Sequence, residues 1–250
     1  MKTGVLLSVR EKATRLPGKV LKPLGPFSVT EHLLRRLQEV RNADEVILST
    51  SIDSRDTVLV EIAEKVGVKH FRGSEDDKLI RYRDTARLFG LDFIVIVDGD
   101  DPFCSAEHLE DIIEYAAANH SVDYVQYDGL PLGATGFGTG LAALERICQQ
   151  KTQQNTEVWQ HWFKDSPEYN SILLEEKRSL YRRPDIRMTL DYPEDYEFFT
   201  TTVEGLEKDQ QSLEFKNIMT FLHDHPEIVE INKMLQETYD EHLEKSMQEI

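Results

Sequence analysis

Through its first 126 residues the chain alternates short β-rich runs with amphipathic helical stretches, and this rhythm narrows the fold more than any other feature. The β-rich runs are Gly4–Val9, Glu45–Thr50, Val68–Phe71, Phe93–Val97 and Tyr124–Gln126. Between them, Glu31–Val40 carries apolar residues at 33, 34, 37 and 40 behind a capping Thr30, and Asp56–Val66 repeats the pattern. Leu79–Phe89 is weaker; Ala106–Ala118, behind Ser105, is clear. Strand–helix alternation at this spacing predicts βαβ units and a mostly parallel sheet between two helical layers.

After Gln126 the rhythm breaks. Glycines stand at 129, 133, 136, 138 and 140, a density expected of a flexible or specially turned segment that closes over a ligand. Leu141–Gln150 reads as helix, 151–180 resists assignment, and Met188–Leu190 reads as a short strand. Helices are expected near Pro193–Leu206, Phe215–Asp224 and Glu227–Lys245. No linker divides the 250 residues, so a single domain is expected, with 127–185 as an acceptor or dimerisation lobe.

Charge is unevenly spread. The net charge of −17 argues against nucleic acid as a partner, yet residues 1–41 hold nine Lys and Arg against three acids. A basic segment on an acidic body suits a compact anionic ligand. No apolar run reaches membrane-spanning length and no signal region opens the chain, so a cytoplasmic protein without a membrane partner is expected. Cys104 and Cys148, far apart and without metal-ligand companions, are expected as free thiols.

Four segments could carry chemistry. Arg10, Lys12, Arg15 and Lys19 crowd the loop after the first strand, where open α/β sheets hold ligands, and Pro17-Gly18 makes a turn that can present Arg15 and Lys19 together. The alternative is a solvated basic loop. Asp98-Gly-Asp-Asp-Pro102 follows a buried strand, as magnesium-binding carboxylates do, or merely caps a helix. Thr189–Glu197 contains Asp191 ahead of a helix opened by Pro193, and a second carboxylate from this remote segment would complete a Mg²⁺ site. Phe71–Asp77 contains a Gly-Ser turn that could offer Arg72 to a nucleoside. His223-Asp-His225 points apart on a helix, and Trp159, His161 and Trp162 suit packing or a dimer contact.

Together these motifs resemble the cytidylyltransferase family, which includes CMP-Kdo synthetase, acylneuraminate cytidylyltransferases and, most similar, the spore-coat polysaccharide cytidylyltransferase-like proteins. The matching segments are Arg10…Thr14-Arg-Leu-Pro-Gly-Lys19, Phe71–Asp77, Asp98–Pro102 and Arg187–Glu197, in the family's order over roughly residues 3–232. The resemblance implies the three-layer α/β/α sandwich of nucleotide-diphospho-sugar transferases and transfer of CMP from CTP with release of pyrophosphate. It puts Lys19, Arg15 and Asp100 at the chemistry. Arg10, Thr14, Arg15, Lys19, Arg72, Ser74 and Asp98 fall at the nucleotide, Asp100 and Asp191 at Mg²⁺, and Arg187, Gly133 and Thr139 at the acceptor.

Two departures stand out. Asp98 adds a carboxylate where family members carry Thr or Gln. The segment Pro131–Thr139 lacks the acids that members often carry there, which favours an anionic acceptor such as a phosphonate or a polyol phosphate over a neutral, hydroxyl-rich one, beside the sugar acid that the resemblance implies. The expected partners are CTP, that acceptor and a second copy of the chain in a homodimer. A glycosyltransferase using a nucleotide-sugar donor, with Asp98 and Asp100 as a metal pair, and a non-catalytic binding module are the alternatives.

Overall fold

A computed structural model describes residues 1–239. Its sheet has seven strands in the order β5-β4-β1-β6-β8-β7-β9. These are β1 (Thr3–Ser8), β4 (Glu45–Ser51), β5 (Lys69–Gly73), β6 (Phe93–Asp98), β7 (Tyr124–Asp128), β8 (Phe137–Gly140) and β9 (Ser171–Glu175), while β2 (Pro23–Leu24) and β3 (Phe27–Ser28) form a small separate hairpin. All pairings in the large sheet are parallel except those of β8, which runs against β6 and β7.

Alternation along the central strands sorts side chains onto two faces. Val5, Leu7, Val95 and Val97 pack toward α1 (Val29–Leu37), α4 (Ala106–Ala118), α7 (Pro193–Lys208) and α8 (Phe215–Asp224). Leu6, Ile47, Ile94 and Ile96 pack toward α3 (Lys78–Phe89), α5 (Leu141–Gln150) and Trp159. With α2 (Thr57–Val66) beside β4 and β5, this is the expected three-layer arrangement. Helix starts follow local chemistry: Ser28 accepts from the Glu31 amide, Asp77 from that of Ile80 and Ser105 from that of His108. The chain winds outward from β1 to β5, then returns to lay β6 on the other side of β1. That reversal opens a crevice at the carboxyl ends of β1 and β6.

The second half departs from several expectations. The glycine-rich segment is not a flexible flap: it builds β8, where a Cβ on Gly138 would lie 2.5 Å from Ile112 Cγ2. Glycine lets that strand press against the helix behind it. Residues 127–185, expected as a lobe, supply β8, β9, α5 and the short α6 (His161–Lys164) to the same sheet and its cover. Met188–Leu190 is extended but makes no strand; its amides donate to Leu132 and Asp100 carbonyls, beside an isolated bridge between Leu132 and Arg187. The helix expected at Glu227–Lys245 is α9 (Pro226–Val229), a turn, and a helical stretch at 235–239; positions 240–245 lie outside the described residues. Both cysteines are free.

Candidate active site

At the β1/β6 crevice lies a cavity of about 500 Å³. Its floor is set by the loop after β1, which is fastened at both ends. Asp56, buried beneath β4, accepts from the Glu11 amide at 2.7 Å and from Thr50 and Ser51. At the far end Thr30 donates to the Val20 carbonyl at 2.8 Å. Between these anchors Gly18 takes φ +67°, a left-handed turn that starts the 3₁₀ turn Lys19–Leu21 and swings Lys19 inward.

Lys19 joins two distant carboxylates. Its Nζ donates to Asp100 Oδ2 at 2.7 Å and to Asp191 Oδ1 at 2.9 Å, and Arg15 Nη2 reaches the same Asp191 oxygen at 2.5 Å. Burial disfavours the Lys19 ammonium, but Asp100 and Asp191 outweigh it and raise its pKa. Burial likewise opposes ionisation of Asp191, and Lys19 and Arg15 overcome it, leaving that carboxyl below its ordinary range. Asp98 and Asp101 are raised, chiefly by burial and by neighbouring carboxylates, Lys78 only partly offsetting this at Asp98. The crevice therefore contains two carboxyls whose ionised forms its cations do not fully stabilise. No cluster of three or more potential metal-ligating side chains occurs among the described residues. The pair Asp100 and Asp191, already spanned by one cation, fits a hard divalent ion that needs few protein ligands.

A second tier fixes Asp191. Arg187 and Asp195 are 1% and 0% exposed; Arg187 donates through Nε to Asp195 Oδ1 at 2.9 Å and through Nη2 to Asp191 Oδ2 at 3.1 Å. Asp195 also accepts the amides of Asp191 and Tyr192, as an acid in the first turn of α7 can, and Asn232 donates to it. Arg187 is thus committed to carboxylates and is not among the residues that line the cavity, although the resemblance implies an acceptor contact for it.

Of the other predicted residues, Arg10, Thr14, Asp98 and Gly133 line the cavity. Asp98 meets Lys78 Nζ at 3.5 Å, which gives the unexpected carboxylate a partner other than a metal and leaves the Asp98–Asp100 pair of a glycosyltransferase unsupported. Arg72, Ser74 and Thr139 stay outside. Arg72 donates to the Ser51 and Asp53 carbonyls, Ser74 accepts the Asp77 amide, and buried Thr139 donates to the Asp123 carbonyl. Gly133 sits at φ +83°, with Asp101 Oδ1 2.7 Å from where its Cβ would lie. The acid-free segment therefore has an acid laid against it by the fold, which weakens the charge argument drawn from it. Lys78, Arg81 and Glu157 also line the cavity, although no motif included them, and Asp101 lines it from within the Asp98–Pro102 segment.

The sequence matches the cytidylyltransferase family over residues 5–219. It is 30% identical over 243 residues to the protein MJ1063 of Methanocaldococcus jannaschii, covering 96% of this chain and 99% of that one. It is also 30% identical over 199 residues to the spore coat polysaccharide biosynthesis protein SpsF of Bacillus subtilis, covering 77% and 82%. A cytidylyltransferase structure from Leptospira borgpetersenii superposes with a TM-score of 0.82 at 24% identity, covering 92% and 97%, a likeness of fold. A match that runs from the cationic loop through both carboxylate segments, on a fold that draws them around one crevice, means that the chain belongs to the cytidylyltransferase family.

Proposed function

We propose that this cytidylyltransferase passes CMP from CTP to a small acceptor that carries its own negative charge, with Mg²⁺ held by Asp100 and Asp191 and pyrophosphate as leaving group. The observation that carries the reading is the Lys19 ammonium between those carboxylates at the crevice, with Arg15 beside it. The loop cations grip the triphosphate. As an acceptor oxygen bonds to the α-phosphorus, the bond to the β-phosphate oxygen breaks, and Lys19 and Arg15 receive the charge growing on pyrophosphate. Bound Mg²⁺ supplies further neutralisation of the phosphates. Arg187 and Asp195 keep Asp191 aimed while Lys19 exchanges partners.

Support for an anionic acceptor comes from lining cations that extend past the loop onto α3, at Lys78 and Arg81. No helix among the described residues is long and apolar enough to cross a membrane, in keeping with a cytoplasmic reaction. The open edge of β9, where Leu173 is 54% exposed, supports a homodimer. The test is pyrophosphate release by purified protein with CTP and Mg²⁺ and, in turn, a sugar acid, an alkylphosphonate, a polyol phosphate and a neutral polyol. Release with any of the three anionic acceptors is expected; release with the neutral polyol alone would overturn the acceptor assignment.

A further inference from the structure

Residues 151–160 contain no helix or strand, yet two of them are fully buried and fix what lies between. Thr156 donates to Asp77 Oδ1 and accepts the Leu79 amide, each at 3.1 Å, and its own amide donates to the Asp76 carbonyl. Trp159 stands edge-on to Tyr82, Tyr124, Phe137 and Phe163. Glu157, between these anchors, projects its carboxylate into the cavity. Arg10 Nη2 donates to its Oε2 at 2.5 Å, and Lys78 Nζ lies 2.8 Å from its Oε1.

We propose that Arg10 and Lys78 form an oxyanion subsite in which the Glu157 carboxylate is a resident counter-ion, displaced by the phosphate or phosphonate group of a substrate. The proposal rests on the reading of this cavity as the substrate site. Exposure shows which partner leaves. The Glu157 side chain is 50% exposed, whereas those of Arg10 and Lys78 are 19% and 11% exposed. The carboxylate can rotate into water on its own side-chain torsions; the cations cannot follow it. Arg10 is further held by donation from Nη1 to the Glu75 carbonyl at 2.7 Å, so its guanidinium stays in place when the carboxylate departs.

Charge balance favours such a departure. The described lining carries six Lys and Arg side chains and six Asp and Glu side chains, so its formal charge is zero. An anion enters more favourably when carboxylates release cations to it. Asp100 and Asp191 have a divalent ion to turn to, and Glu157 has only water. Burial opposes its ionisation, but Lys78 and Arg10 hold its pKa down to about 2, so it is charged at neutral pH.

The experiment is calorimetric titration of wild type and Glu157→Gln with inorganic pyrophosphate, methylphosphonate and Mg-CTP. Removing the resident carboxylate frees the subsite, and at least one of the first two probes should bind roughly tenfold more tightly. A gain for pyrophosphate alone assigns the subsite to the nucleotide tail; a gain for methylphosphonate alone assigns it to the acceptor. Glu75→Gln, which removes a carboxylate paired with Lys12 at 3.0 Å, controls for general charge and should gain less than about twofold. Adding Lys78→Met to Glu157→Gln should erase the gain. Equal or weaker binding of both probes by Glu157→Gln, or an equal gain in Glu75→Gln, overturns the proposal. Should wild type fail to bind Mg-CTP while Glu157→Gln still gains for methylphosphonate, the subsite stands and the cytidylyl reading falls.

Discussion

Replacing Arg187 decides whether that side chain serves the acceptor or the architecture beneath the active site. Arg187 is 1% exposed and gives its fork to two carboxylates, Asp195 at 2.9 Å and Asp191 at 3.1 Å, themselves 0% and 1% exposed. In Arg187→Met the volume stays but both acids lose their buried cation. Breaking a buried pair from one side costs about 3–5 kcal/mol. The lower end applies, because Asp195 keeps three other donors and Asp191 keeps Lys19 and Arg15. For a chain of 250 residues, about 3 kcal/mol lowers Tm by about 6–12 °C. The assay is thermal unfolding of wild type, Arg187→Met and Arg187→Lys without ligand. Lysine restores the charge without the fork and should fall between the other two. A Tm for Arg187→Met within about 2 °C of wild type, with only the acceptor KM raised, would refute the structural assignment and reinstate the acceptor role.

Lys19→Met should lower kcat by about 10²–10³, since a cation placed at the leaving group is worth about 3–4 kcal/mol in the transition state; steady-state pyrophosphate release measures it. Gly133→Ala should destabilise by about 2 kcal/mol or more, because its φ of +83° is left-handed and the new Cβ would lie 2.4 Å from the Met188 carbonyl oxygen; urea unfolding reads this. Stability should also fall on mild acidification. Buried His32, its Nε2 without a partner, has its pKa lowered to about 3, chiefly by burial and then by Arg36, so it stays neutral when folded but protonates below about 6.5 when unfolded. Its contribution is present above that pH and is lost as pH falls toward 3, amounting to about 2 kcal/mol at pH 5. Urea titrations at pH 7.5 and 5 should show a difference that His32→Gln reduces.

The first half of the fold was legible because its central strands β1 and β6 are buried on both faces and announce themselves as apolar runs, with capping residues marking several of the helices between the strands. The second half hid for physical reasons. β8 is buried through its backbone, so the glycines that make it possible look like turn residues. β9 is an edge strand with half-exposed side chains, and an edge carries little alternation. That Arg10, Lys19, Asp100 and Asp191 would gather at one cavity could be anticipated because motif and strand-end position agreed. Arg72 and Ser74 lie outside the cavity lining because the Gly-Ser turn fastens β5 and starts α3. Glu157 gave no signal: its placement depends on Thr156 and Trp159 being buried by segments remote in sequence.

Thermal shift with the four nucleoside triphosphates and Mg²⁺, on wild type and Asp191→Asn, tests most directly whether the loop cations and the paired carboxylates enclose a metal-bound cytidine nucleotide. A ligand at one hundred times its Kd stabilises the native state by about 2.7 kcal/mol, enough for a clear rise in Tm. CTP should raise the Tm of wild type above the other three, with Mg²⁺ required and Asp191→Asn blunting the rise. An equal shift for all four nucleotides, or an undiminished CTP shift in Asp191→Asn, would contradict it.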